Sequence, residues 1–190
     1  MRINNHHIIL ASKSPRRQFL LKELGLEFET RTKETEESFP DDLKAEQIPL
    51  FLCRKKADAF REELKPGELV ITADTIVWVG DQVLNKPEDH DDAVRMLRLL
   101  SGKMHQVFTG VCLSSLEKTV SFFGETKVYF KDLSDAEIEH YIRYGQPFDK
   151  AGSYGAQDWI GLVGVKRIEG TYFNVMGLPM FELHEELMKF

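Results

Sequence analysis

The amino-acid sequence predicts an α/β fold, and three observations carry the prediction. The run Leu69-Val70-Ile71-Thr72-Ala73-Asp74-Thr75-Ile76-Val77-Trp78 is rich in β-branched residues, the composition of a strand. Asp89 to Leu100 sets Ala93, Met96, Leu97 and Leu100 on one face at helical spacing. Around these, strand-like and helix-like segments alternate along 190 residues with no internal repeat, low-complexity tract or clear linker. A chain of this length can bury a substantial core. The simplest architecture is a single domain over residues 1–190, with two lobes around a cleft.

Each element has a local reason. Ile8 to Leu10 is apolar enough for a short buried strand. Ser14 then stands at an N-cap and Pro15 at the first helical position. The helix that follows has Phe19, Leu20 and Leu24 on its apolar side and Gly25 as its stop. Leu26 to Thr32 alternates like a second strand, and Lys33 to Asp42 is acidic and turn-like. Ile48 to Phe60 reads as a helix, with Leu52, Lys56 and Ala59 at helical spacing. Lys65-Pro66-Gly67-Glu68 is a turn, and Gly80-Asp81 folds the strong strand back as a hairpin. Ser101-Gly102 ends the 89–100 helix. His105 to Leu116 and Thr119 to Phe130 read as two long antiparallel strands. Ser134-Asp135-Ala136-Glu137 is a capping box that opens a helix to about Tyr144. A glycine-rich loop from Gly152 to Gly164, two short strands and a C-terminal helix from Pro179 to Lys189 complete the prediction.

Composition excludes several classes. The net charge is −6 and the pI about 5.6, which argues against a basic surface that coats nucleic acid but leaves room for a local basic pocket. Cys53 and Cys112 are the two cysteines: too few for a disulfide scaffold, and without a CxxC metal pair. Both read as small buried hydrophobes. The start, MRINNHHII, lacks the apolar core of a signal peptide. No stretch reaches the ~18–20 apolar residues of a membrane span. The expectation is a reduced, soluble, cytoplasmic protein.

Several side chains could carry chemistry. Ser12, Ser14, Arg16 and Arg17 sit where a strand passes into a helix N-terminus, a natural anion site to which arginine adds planar phosphate recognition. The alternative is a serine that only caps and arginines that are only solvated, although basic residues in a first turn oppose the helix dipole. Asp74 interrupts an apolar strand, where a carboxylate is costly unless paired, hydrogen-bonded or metal-bound. It is a strand-end residue holding a turn, or else a metal ligand or general base. Lys56, Lys86, Glu36 and Glu37 are solvated charges by default, yet a Mg²⁺ site needs only one or two such carboxylates plus substrate phosphates. His105 reads as structural, since no second histidine stands at ligand spacing. Gly152-Ser153-Tyr154-Gly155-Ala156-Gln157 is either a tight turn or a reader of a base edge through its amide. A GxGxxG after a strand, a GxxxxGK[ST] loop and a Ser/His/Asp set are all lacking.

These segments, in order, closely resemble the Maf family of nucleoside triphosphate pyrophosphatases, known as septum-formation proteins. The resemblance rests on Leu10-Ala11-Ser12-Lys13-Ser14-Pro15-Arg16-Arg17, then on Ala73-Asp74-Thr75-Ile76-Val77 with Lys86-Pro87. It continues through Leu100 to Gly110, Lys150 to Gln157, Ile168-Glu169-Gly170-Thr171-Tyr172 and Gly177-Leu178-Pro179, and so spans nearly the whole chain. It implies an elongated mixed β-sheet with flanking helices and two lobes around a cleft, similar to inosine triphosphate pyrophosphatases. It also implies hydrolysis of a nucleoside triphosphate to the monophosphate and pyrophosphate with a divalent cation, Mg²⁺ or Mn²⁺, and suggests a homodimer. The dTTP/UTP subfamily is the better match, because its discriminating arginine, threonine and glutamine correspond to Arg16, Thr75 and Gln157. The 7-methyl-GTP subfamily is expected to carry Trp, Gln and Glu there. Asp158-Trp159 departs from the small glycine-rich stretch usual after that glutamine, and leaves Trp159 either to stack on a base or to fill the loop.

On this resemblance, Ser12, Arg17 and the helix N-terminus are expected to hold the triphosphate, with Lys56 and Lys86 adding positive charge. Glu37 and Asp74 are expected to bind or orient the metal, and Asp74 to act as general base toward water. The competing expectations are a non-catalytic nucleotide-binding regulator of septum formation and a pyrophosphatase for modified purine triphosphates. A nucleoside triphosphate is the expected partner, and neither a nucleic-acid polymer nor a membrane is.

Overall fold

The computed structural model describes residues 6–190; part of the polar start read above lies outside them. A mixed sheet of seven strands, flanked by helices, has the order β2-β1-β3-β5-β6-β7, with β4 paired to β3. The α/β class expected from the sequence is the class observed. Among the described residues no helix is long and apolar enough to cross a membrane.

The chain divides into two compact units. The first takes residues up to Asp74, Thr109–Gly124 and Gly177–Phe190. In it β1 (His7–Leu10) lies between β2 (Phe28–Thr30) and the start of β3 (Glu68–Val79), parallel to both. Ile8, Ile9 and Leu10 are all buried, as suits a central parallel strand covered on both faces. The expected strand over 26–32 shortens to three residues, Phe28–Thr30, each in register with β1 at Ile8 to Leu10. Helix α1 (Pro15–Glu23) ends in a Schellman motif: Gly25 N–H donates to Lys22 O at 2.8 Å and Leu26 N–H to Leu21 O at 3.2 Å, with Gly25 at φ 76°. Its inward face is Leu20 and Leu21, whereas Phe19, expected inside, is 53% exposed. Helix α2 (Gln47–Asp58) buries Ile48, Leu52, Cys53 and Ala57. Gly110 lets β5 come close to α2, since a Cβ there would stand 2.5 Å from the Pro49 backbone. Cys53 and Cys112 are free and buried in one small cluster with Ala57, as anticipated. Burial drives the Cys53 thiol far above its ordinary range and pushes Cys112 up to about 11.

The second unit takes Thr75–Phe108 and Glu125–Met176. The end of β3 turns through Gly80, at φ 59°, into β4 (Gln82–Leu84), with Val79 opposite Gln82, the short hairpin expected. Helix α3 (His90–Leu100) is capped by Asp89, whose carboxylate accepts the Asp92 N–H at 2.8 Å. Its buried face is Ala93, Met96, Leu97 and Leu100, the stripe read from the sequence. Strands β5 (Met104–Ser114) and β6 (Thr119–Phe130) are neighbours. Helix α4 (Asp135–Gly145) has the reciprocal capping box of Ser134 and Glu137.

The C-terminal stretch differs from expectation. The glycine-rich segment contains a 3-10 turn at Ala151–Ser153 and a helix, α5 (Trp159–Gly164). The two short strands are one strand, β7 (Val165–Glu169), followed by α6 (Tyr172–Met176). These short helices lack the length that would make their periodicity visible. Asn174 closes α6 onto the sheet, donating through Nδ2 to Val107 O and Thr126 Oγ1, both at 3.0 Å. Helix α7 (Met180–Leu187) ends the fold and buries Leu183 and Leu187.

Candidate active site

The passage from β1 into α1 is shaped by hydrogen bonds of its own. Ser12 is buried, and its hydroxyl accepts the Ser14 N–H at 3.2 Å. Ser14 has the extended backbone of an N-cap, yet its side chain makes no capping bond. The serine that organises this turn is therefore Ser12. With Pro15 first in the helix and no acidic residue in its first turn, nothing of opposite charge occupies the positive end of the helix dipole from within the turn.

Arg17 reaches back from that first turn. Its Nε donates to Gly177 O and its Nη1 to Ala73 O, each at 2.9 Å, and Nη1 lies 3.5 Å from Ser12 Oγ. The planar guanidinium thus ties the turn to Gly177 and to the residue before Asp74. Burial lowers the pKa of Arg17, the attraction of Asp74 opposes that, and neighbouring Arg16 lowers it further. A group so far above neutrality to begin with stays cationic.

Asp74 lies in the middle of β3, with 13% of its side chain exposed, and is not a turn residue at a strand end. Lys56 Nζ stands 2.5 Å from Asp74 Oδ1 and 2.8 Å from Glu37 Oε1. Lys56, by default a solvated lysine, has a side chain only 17% exposed, and its ammonium joins two carboxylates. It follows Leu52 by one helical turn, which aims it along the inward side of α2. The acidic segment is fastened to the same helix: Lys55 Nζ donates to Ser38 O at 3.1 Å and Lys33 Nζ to Ala59 O at 2.6 Å. Those anchors bring Glu37 to Lys56. The segment's composition signals only a turn and carries no mark of these long-range contacts.

Among the described residues no three His, Cys, Asp or Glu form a ready-made metal cage. Glu37 and Asp74 nevertheless each direct an oxygen to one cationic point. The point between them is the Lys56 ammonium, and the two carboxylates are hard oxygen donors of the kind that could hold a Mg²⁺-type ion.

Arg16 stands beside Arg17 in α1, in the first unit; Thr75, Lys86 and Gln157 belong to the second. Thr75 follows Asp74 on β3 and is half-buried. Lys86 is exposed just after β4, beside Asn85, whose carbonyl accepts the Gly152 N–H at 3.0 Å. Gln157 is exposed, and its Nε2 donates to Asp158 Oδ1 at 3.1 Å. The other oxygen of Asp158 accepts from Tyr141 OH at 2.7 Å and lies 3.6 Å from Lys150 Nζ. Tyr141 in turn accepts the Gly155 N–H at 3.0 Å. Burial raises the phenol's pKa, and its bond to Asp158 raises it further. Trp159 packs on the His140 ring, centroids 4.6 Å apart. His105 is structural, as expected: it is buried, lies 2.7 Å from Tyr154 OH through Nε2, and is pushed down to about 3 by burial.

Comparison with known proteins adds an independent line. The family model described as Maf-like protein matches residues 7–190. A protein named dTTP/UTP pyrophosphatase from Phocaeicola vulgatus is 54% identical over 188 residues, covering 98% of this chain and 97% of that one. Its namesake in Bacteroides thetaiotaomicron is 52% identical with the same coverage. Among solved structures, the Staphylococcus aureus Ham1 protein is similar at a TM-score of 0.48 and 14% identity, covering 95% of this chain and 99% of that one, a likeness too distant to carry an argument.

Proposed function

The chain belongs to the Maf-like protein family, and on that premise we propose that it is a nucleoside triphosphate pyrophosphatase that hydrolyses dTTP and UTP to the monophosphate and pyrophosphate. The near full-length identity to relatives named for that activity supports the reading. The observation in this chain that carries it is the convergence of Asp74 and Glu37 on Lys56, next to the strand Arg17 holds. A protein that only bound nucleotide would not need these carboxylates, which repel phosphate unless a metal lies between. The whole of residues 1–190 acts as one Maf-like domain, in the cytoplasm and as a homodimer.

Ser12, Arg17 and the N-terminus of α1 receive the triphosphate, with Lys56 and Lys86 adding positive charge. Glu37 and Asp74 would hold a divalent metal, Mg²⁺ or Mn²⁺. When bound, such an ion neutralises phosphate charge and acidifies water. Asp74 accepts the proton of the attacking water, whose oxygen bonds to the α-phosphorus as the bond to the bridging oxygen breaks and pyrophosphate leaves. Lys56, hydrogen-bonded to Asp74, keeps that carboxylate aimed. Arg16, Thr75 and Gln157 select the base.

The test is pyrophosphate release from dTTP, UTP, CTP and 7-methyl-GTP, with and without Mg²⁺ or Mn²⁺, for the wild type and Asp74→Asn. Metal-dependent release from dTTP and UTP is expected, falling by a factor of about 10²–10⁴ in the variant, the usual yield of a general base. Nucleotide binding without release from any substrate would favour the regulatory reading. Wild-type turnover by D74N would remove the base assignment.

A further inference from the structure

An amide side chain can face a ligand in two ways, differing by a flip that exchanges its acceptor oxygen and donor nitrogen. Uracil and thymine present a donor at N3 beside an acceptor at O4. Cytosine presents the reverse, an acceptor at N3 beside a donor at N4. For a base held in one place, the flip of a reading amide therefore decides which pyrimidine is accepted. The side chains around Gln157 restrain that flip.

An ionised carboxylate only accepts hydrogen bonds. Asp158 Oδ1 takes Gln157 Nε2 at 3.1 Å, so the nitrogen, and not the oxygen, must face Asp158. Oε1 and one remaining N–H are left for a ligand. Asp158 is itself held. Gly155 N–H donates to Tyr141 OH at 3.0 Å, which directs the single phenolic hydrogen to Asp158 Oδ2 at 2.7 Å, and Lys150 Nζ lies 3.6 Å from the same oxygen. The space is tight: a Cβ on Gly155 would come within 2.6 Å of both Asp158 Oδ2 and Gln157 Nε2. We propose that Asp158, oriented by Tyr141, is a positioning residue that locks the Gln157 amide in the flip that favours uracil and thymine over cytosine. This rests on the reading of Gln157 as a base selector.

The chain of donors makes a directional prediction. In Asp158→Asn the Tyr141 hydrogen still needs an acceptor, so the new amide keeps its oxygen toward Tyr141 and turns its NH₂ to Gln157. Gln157 must then offer Oε1 to residue 158 and nitrogen outward, the flip suited to cytosine. The experiment measures kcat/KM for UTP and CTP with wild type, D158N and D158N combined with Tyr141→Phe, with thermal midpoints as a folding control. The expected result is that D158N lowers the UTP-to-CTP ratio by roughly tenfold or more, the discrimination of one bidentate contact. In the double variant only Lys150 is left to hold the oxygen of residue 158, the flip is imposed less firmly, and the ratio lies between the two. Should D158N be unstable, Asp158→Ser, too short to reach the amide, should also lower the ratio. A folded D158N or D158S that keeps the wild-type ratio overturns the proposal while leaving the pyrophosphatase reading intact. A wild type inactive on UTP and dTTP overturns that reading and this inference with it.

Discussion

Replacing Lys56 by methionine keeps the apolar stem and removes the ammonium shared by Asp74 and Glu37. Stripping one partner from a buried ion pair costs about 3–5 kcal/mol, because the other charge is left behind. Three features reduce that here. Water reaches the pair through the 13–17% of side chain left exposed on Asp74 and Lys56. The Glu37 side chain is 50% exposed, and pairs of that kind contribute about 0–1 kcal/mol. Arg17 still attracts Asp74. The expected loss for K56M is about 2 kcal/mol, which for a chain of this size lowers Tm by ~4–8 °C. D74N strips the opposite partner, whereas K56M/D74N removes both charges and leaves neither orphaned. The double variant should therefore be more stable than the sum of the single losses by about 1–3 kcal/mol. Urea unfolding of the four proteins at neutral pH, without added metal, measures the coupling. Additivity within about 0.5 kcal/mol would refute the claim that Lys56 and Asp74 are the principal partners of each other.

Two further predictions concern stability. His105 is held neutral by burial, with its pKa pushed down to about 3 from the ordinary 6.5. The unfolded chain therefore binds a proton that the folded chain refuses, and the contribution is complete above pH 6.5 and lost as pH falls toward 3. The slope attributable to His105 is about 1.4 kcal/mol per pH unit in that window. Thermal midpoints against pH should fall less steeply in His105→Gln than in the wild type, and equal slopes would exclude His105 as the source. Gly110→Ala places a methyl 2.5 Å from the Pro49 backbone, which cannot swing aside as a side chain can. A cost of about 1–3 kcal/mol is expected from such overpacking, read as a lowered Tm, and an unchanged Tm would show that α2 shifts freely.

What could be read from the sequence alone follows a physical boundary. The capping box of α4 and the glycine stop of α1 both depend on residues within a few positions of one another, and both are observed. The strand-to-helix passage that carries Ser12 and Arg17 was legible for the same reason, since strand, turn and helix order is local. The face of α1 was not, because Phe19, Leu20, Leu21 and Leu24 leave more than one apolar stripe open, and only packing selects Leu20 and Leu21. Nor were α5 and α6, too short to show a period.

The charge pairing had to await the tertiary fold. Lys56 and Asp74 are 18 residues apart, and Arg17 and Gly177 are 160 apart. A hydrogen bond acts over about 3 Å, so sequence separation says nothing of whether it forms. The fold turned Lys56 from a solvated lysine into the partner of two carboxylates, and moved the organising role in the first turn from Ser14 to Ser12. It also gave Asp158, an apparent irregularity after Gln157, a defined place between Tyr141 and the Gln157 amide. Local order and residue chemistry belong to the sequence alone; the partners that set charge, orientation and flip belong to distances that only the folded chain creates.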